Sequence, residues 1–209
     1  MKTLIVAATE MEIAASIPAL VENRMDYLVT GVGMLATAFS MGQNLRERQF
    51  DLLVNVGIAG SFQAQHTLGS LFKVRKDHVY EFGAENDREF IPIDQMGFGS
   101  SIYSERLPER PMSAAFYQLP YIDGITVNKV HGSEEGIRRV FEQHGPNTIE
   151  SMEGAAFFYA AQKHGLPCIQ VRSISNWVEK RNVERWNIPL AIKALNEWLI
   201  AFAQEHAQK

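Results

Sequence analysis

The chain has 209 residues, 46% of them hydrophobic, enough to bury a substantial core as one domain. Its formal charge of -4 tells against a nucleic-acid protein, because phosphate-backbone binding draws on a basic surface. The single cysteine, Cys168, rules out a disulfide within the chain, and no apolar run approaches membrane-spanning length, so the cytoplasm is the expected compartment.

The first apolar run, Leu4 to Ala7, predicts a buried strand leading into a turn with Glu10 and Glu12, whose charges interrupt any signal-peptide core. A helix is expected over Met34 to Arg48, then strands at Leu52 to Val56 and Leu71 to Val74. Phe82 to Pro120, rich in Gly, Pro, Ser and charge with scattered aromatics, reads as a long connection: a lid, a subunit-contact arm or plain surface irregularity. Beyond it come a strand at Ile125 to Val130, helices at Glu134 to Gln143 and Gly154 to Lys163, and a strand at Cys168 to Val171 holding the cysteine as a small core residue. In the last helix, Pro189 to Gln204, Leu190, Ala194, Leu195, Trp198, Leu199 and Phe202 recur at three- and four-residue steps and mark one apolar face. This alternation predicts an α/β fold, a three-layer αβα sandwich around a mixed twisted sheet, in one domain spanning 1–209.

Polar residues gather where these strands end, the place where α/β sheets build sites. IQVRSISNWVE carries Arg172, Ser173, Ser175 and Asn176 beyond the last strand, and ESMEGAAFFYAAQKHG sets Met152 and Glu153 just before a helix. Two small-residue turns join them, VTGVGMLATAFS with Gly33 and NVGIAGSF with Ala59 and Gly60. A dinucleotide reading of these turns fails, since no complete GxGxxG follows a strand. GxSxG elbows and P-loops are also missing, and the six histidines show no HExxH or paired metal spacing, so neither cofactor nor metal is expected.

In order and spacing, the four motifs together with Glu12 resemble the purine nucleoside phosphorylase superfamily, and within its nucleosidase branch the futalosine hydrolase family. The resemblance runs from Met1 to about Glu179. It implies a nucleoside phosphorylase-like fold, a small-molecule nucleoside substrate, a homo-oligomer, and hydrolysis of futalosine to hypoxanthine and dehypoxanthine futalosine on a route to menaquinone. It also implies roles: Glu12 activates water, Glu153 accepts the ribose hydroxyls with Met152 packed on the sugar, and Arg172 fixes Glu12 or Glu153. Ser175 supports its neighbour, while Gly33, Ala59 and Gly60 line the substrate. Taken alone, Glu12 also suits the first turn of a helix after Thr9.

Asn176 stands where adenine-specific nucleosidases carry an aspartic acid. An amide donates to the O6 and N7 acceptors of a 6-oxopurine, so hypoxanthine is the expected base. The methylthioadenosine-type enzymes also have a serine where this chain has Ile58, and their stacking aromatic falls near Lys129. Phe82, Phe98 and Tyr103 of the long connection are therefore the candidates for a stacking face. The mixed-sign cluster Glu179, Lys180, Arg181, Glu184 and Arg185 reads as a solvated face, or one lying beside the tail of an acidic substrate. Rival readings are a phosphate-dependent 6-oxopurine phosphorylase, a methylthioadenosine or adenosylhomocysteine nucleosidase, and a non-catalytic nucleoside-binding protein.

Overall fold

In the computed structural model, residues 1–87, 89–180 and 182–207 are described. Chain order is β1 (Thr3–Ala7), α1 (Glu10–Ile13), α2 (Ile17–Glu22), β2 (Asp26–Val29), α3 (Met34–Glu47), β3 (Leu52–Ser61), β4 (Leu71–Val79), β5 (Gly83–Asn86), β6 (Glu89–Pro92) and β7 (Ile102–Ser104). There follow α4 (Ala114–Tyr117), β8 (Tyr121–Thr126), α5 (Glu134–His144), β9 (Thr148–Ser151), α6 (Gly154–Lys163), β10 (Cys168–Trp177) and α7 (Ile188–Ala207).

A mixed sheet occupies the centre, as the alternation predicts, with β1 parallel to β2 and β3, and β3 parallel to β10. Strand β10 runs antiparallel to β4, β4 and β8 run parallel, β8 and β9 run parallel, and β9 returns antiparallel to β3. Strands β3, β10, β4, β8 and β9 thus close on one another in a ring, from which β1 and β2 extend as an open wing.

Both faces of β1, β3 and β10 are buried, whereas β2 at the edge is half exposed, and alternate residues of the buried strands feed two cores. Ile5, Ala7, Val54, Val56, Ile169 and Val171 pack with Leu195, Leu199 and Phe202 of α7. Leu4, Val6, Leu53, Cys168 and Ile174 pack with Met41 and Leu45 of α3 and with Phe157, Phe158 and Ala161 of α6. Near-continuous Val, Ile and Leu in β1 and β3 is the signature of strands covered on both sides. Cys168 is fully buried, and burial pushes its thiol up to about 12.

The segment Phe82 to Pro120 differs from the expected loop. It holds the hairpin β5–β6, the sheet strand β7 and α4, which docks under α7 where Trp198 Nε1 donates to the Ala115 carbonyl at 3.0 Å. Elements of three or four residues are too short to show a period in sequence. The strand expected at Ile125 to Val130 also shifts, to Tyr121–Thr126. Asp123 and Gly124 interrupt its apolar run, but Gly124 is needed there, since a β-carbon would lie 2.8 Å from Asp77 Oδ2.

Candidate active site

The C-terminal ends of β1, β3, β9 and β10 meet at one edge of the sheet around a cleft enclosing about 230 Å³. Its walls include Thr9, Glu12, Val32, Ile58, Ala59, Gly60, Val130, Glu150, Met152, Glu153, Ser175, Asn176 and Trp186. Seven of the nine predicted residues, Glu12, Glu153, Asn176, Met152, Ser175, Ala59 and Gly60, line it.

Glu12 lies in the first turn of α1, with its carboxylate closing a capping box on Thr9. Oε2 accepts from the Thr9 N–H and from Thr9 Oγ1, each at 3.0 Å, and Oε1 accepts from the Ile58 N–H at 3.1 Å. The capping role and the site position therefore coexist in one residue. Three donors from two elements fix a carboxylate that is only 6% exposed. A fixed carboxylate on a cleft wall is what a general base requires.

Glu153 occupies the N-cap position of α6 without its side chain capping the helix, and its Oε1 accepts instead from the Gly33 N–H at 3.0 Å. Arg172 Nη1 sits 3.4 Å from Glu153 Oε2. Arg172 itself is 1% exposed and does not reach the cleft wall. Its Nη2 donates to Asn55 Oδ1 at 2.5 Å, its Nε to Gln170 Oε1 at 2.9 Å, and Nη1 also lies 3.5 Å from the Ile58 carbonyl. Of the two expected partners, Arg172 holds Glu153, while Glu12 is held by Thr9 and the Ile58 N–H. Gly33 likewise anchors Glu153 rather than lining the cleft, where its neighbour Val32 stands instead. Gly57 makes this packing possible, because a β-carbon there would collide with Arg172 Nη1 and lie 2.9 Å from Glu12 Oε1.

Behind Arg172 the chain of contacts continues. Gln170 Nε2 donates to Asp77 Oδ2 at 3.0 Å, and Thr126 Oγ1, which accepts from the Ala155 N–H, donates to Asp77 Oδ1 at 2.7 Å. Burial pushes the Asp77 carboxyl up from 3.8 to about 6, against the pull of these donors and of Arg172. Asp77, Gln170, Arg172 and Glu153 thus form one buried relay from the sheet interior to the cleft.

Strand β10 extends past the predicted end at Val171 to Trp177, so Arg172 to Asn176 lie within the strand rather than beyond it. Ile174 pairs with Ala59 and Asn176 with Gly60, leaving Ser175 as the extra residue of a bulge. The bulge breaks the two-residue alternation and turns both Ser175 and Asn176 into the cleft. Ser175 Oγ lies 2.9 Å from Asn176 Oδ1, and Asn176 Nδ2 donates to the Trp177 carbonyl at 3.2 Å. Because that carbonyl only accepts, it fixes which end of the amide is nitrogen.

A sequence model of the phosphorylase superfamily matches residues 20–204. A futalosine hydrolase from Streptomyces coelicolor is 31% identical over 180 residues, covering 82% of this chain and 75% of that protein. The chain belongs to the futalosine hydrolase family of this superfamily. The fold agrees. The methylthioadenosine/adenosylhomocysteine nucleosidase of Campylobacter jejuni superposes with a TM-score of 0.77 at 15% identity over all of both chains. The futalosine hydrolase of Helicobacter pylori gives 0.69 at 15% identity, over 99% of this chain and 95% of its own.

Within this futalosine hydrolase family member, the aromatic wall comes from a place the sequence reading passed over. Phe82, Phe98 and Tyr103 line a separate cavity of about 910 Å³ with Leu35 of α3 and Tyr159 of α6. The aromatic on the site cleft is Trp186, just after the turn Val183–Arg185, and the adjacent Asn187 N–H ties to the Ser175 carbonyl at 2.8 Å. The charged run before it concealed Trp186. In that run Arg185 pairs with Glu179 at 2.7 Å on the surface, and Arg181 lies outside the described residues. Val130, Val32 and Glu150 were likewise unmarked, Glu150 because its short strand β9 reads as TIES and shows no apolar pattern. Among the described residues no group of three or more His, Cys, Asp or Glu is placed to hold a metal ion.

Proposed function

We propose that this cleft hydrolyses the N-glycosidic bond of futalosine, releasing hypoxanthine and dehypoxanthine futalosine, the step toward menaquinone that the family implies. The observation that carries the reading is the pairing of two immobilised carboxylates, Glu12 and Glu153, with a carboxamide, Asn176, across one buried cleft. As the glycosidic bond lengthens, the sugar becomes oxocarbenium-like and the purine gathers negative charge. Glu12 takes the proton of the attacking water, and Glu153 accepts the ribose hydroxyls with Met152 against the sugar. With one amide N–H on the Trp177 carbonyl, Asn176 has its other N–H to donate toward O6 and N7 of the departing base, where charge develops.

Water is favoured over phosphate by the lining. None of the described residues on the cleft wall is Lys or Arg, and the buried Arg172 is committed to Glu153, Gln170 and Asn55. Phosphate prefers cationic side chains and free backbone N–H groups, and the nearby N–H groups of Thr9, Ile58 and Gly33 already serve carboxylates.

The reading extends to a single domain over 1–209, a cytoplasmic compartment and a homo-oligomer. Among the described residues no helix is long and apolar enough to cross a membrane. Val32, Leu35 and Phe39 stand 58%, 88% and 67% exposed beside the cleft mouth, an apolar surface suited to a second copy of the chain. Purified protein given futalosine, inosine and methylthioadenosine, each with and without phosphate, tests the activity. Phosphate-independent hypoxanthine release from futalosine is expected; phosphate-dependent cleavage of inosine, or adenine release, would overturn it.

A further inference from the structure

One buried charge on the cleft wall has no part in the chemistry above. Glu150 of β9 is 4% exposed and lines the cleft. Its Oε2 lies 2.7 Å from His131 Nδ1, and both of its oxygens lie 3.2 Å from the His131 N–H. It stands opposite Gly60 in the β3–β9 pairing. A β-carbon on Gly60 would fall 2.9 Å from Val178 Cγ2, 3.1 Å from Asn176 Nδ2 and 3.4 Å from Glu150 Cγ, so glycine is what lets the Glu150 and Asn176 side chains approach one another over this strand.

A 6-oxopurine presents three polar atoms along one edge: the acceptors N7 and O6, then the donor N1–H. Asn176 answers the acceptors only. An N1–H left unpaired in a buried cleft costs its full desolvation, and a carboxylate, which only accepts, is the complementary group. Glu12 and Glu153 are held by donors at the sugar side, which leaves Glu150.

We propose that Glu150 is a specificity-determining residue that accepts the N1–H of the base, with His131 holding the carboxylate in place. His131 supplies two donors, and a carboxylate has about four lone-pair directions, so acceptor capacity remains for the base. The same carboxylate rejects a 6-aminopurine, whose unprotonated N1 would bring a lone pair against it. Specificity for the 6-oxo base is then read twice, by donation from Asn176 and by acceptance at Glu150.

The inference rests on the proposed substrate, and the test separates the two. Binding of free hypoxanthine, 1-methylhypoxanthine and adenine is measured by calorimetry on wild type and on Glu150→Gln. Wild type should prefer hypoxanthine to both analogues by roughly 10–100-fold, the range of a hydrogen bond to a charged group. In Glu150→Gln, whose amide can donate to adenine N1 while its oxygen still faces His131, the hypoxanthine-to-adenine ratio should fall by a similar factor. A purely structural role would weaken all three bases together and leave the ratio unchanged, which overturns the proposal. Equal wild-type affinity for hypoxanthine and 1-methylhypoxanthine overturns it without any variant. Absence of futalosine turnover in protein that still shows these preferences would instead count against the activity alone.

Discussion

Asn176 and Glu12 show how much one side chain decides in this cleft. Replacing the amide by a carboxylic acid keeps its size but gives N7 a shared proton and the 6-amino group an acceptor. Asn176→Asp should therefore shift the ratio of kcat/KM values toward adenine nucleosides, measured on futalosine and its 6-amino analogue; an unchanged ratio removes Asn176 from base selection. Glu12→Gln should lower turnover by about 10²–10⁴, the usual worth of a positioned general base. Because Glu12 also caps α1, that measurement is read beside a thermal melt, and near-normal turnover in folded protein would discard the role. Both residues were visible in the sequence as polar letters at strand ends. What the letters could not convey was that Arg172 and Gly33 act on Glu153 from outside the cleft, because sequence spacing reports neighbours along a chain and not which of them face the same cavity.

Elements were legible in proportion to their length and period. Helix α6 spans Gly154–Lys163 as expected, and α7 follows its three- and four-residue apolar steps. Strand β9 was missed because Thr148, Glu150 and Ser151 are polar although all four of its residues are buried, and the bulge in β10 follows from no local pattern. The relay ending at Asp77 belongs to this scale, since it fastens β4, β8, β10 and α6 together. In Asp77→Asn the new Nδ2 meets either the Thr126 hydroxyl or Gln170 Nε2, and turning Gln170 to accept would withdraw the oxygen from Arg172. The variant should lose about 1–3 kcal/mol and bind nucleoside more weakly through a less well held Glu153. The sign of the pH dependence is set by the raised carboxyl. Between 3.8 and about 6 the unfolded chain has released the proton that the folded chain still keeps, so this contribution is present in full at lower pH and is lost as pH rises through about 6. The stability gap between wild type and Asp77→Asn should narrow across that window and stay level above it. Urea midpoints at stepped pH check this, and a gap that widened would contradict the burial of Asp77.

At the scale of the molecule, the α/β class and the central mixed sheet could be read from alternating runs, whereas the ring could not, since its closure depends on pairings between strands far apart in the chain. The exposed apolar strip Val32, Leu35 and Phe39 lies on and beside α3, close to the cleft mouth. Leu35→Glu with Phe39→Glu should leave the fold intact and yield monomer by light scattering at concentrations where wild type is an oligomer. Wild-type protein that is already monomeric would show that the strip covers no second copy.

The position of β10 in that ring also dictates when the protein becomes an enzyme. It is the last strand made, yet it is inserted between β3 and β4. Until it emerges from the ribosome, two long strands wait with open edges, the state in which chains pair wrongly with one another. Arg172, Ser175 and Asn176 arrive on that same strand. Closing the barrel-like ring and completing the cleft are therefore a single late event of synthesis, and a nascent chain holding Glu12 and Glu153 has both carboxylates but no place to put a base.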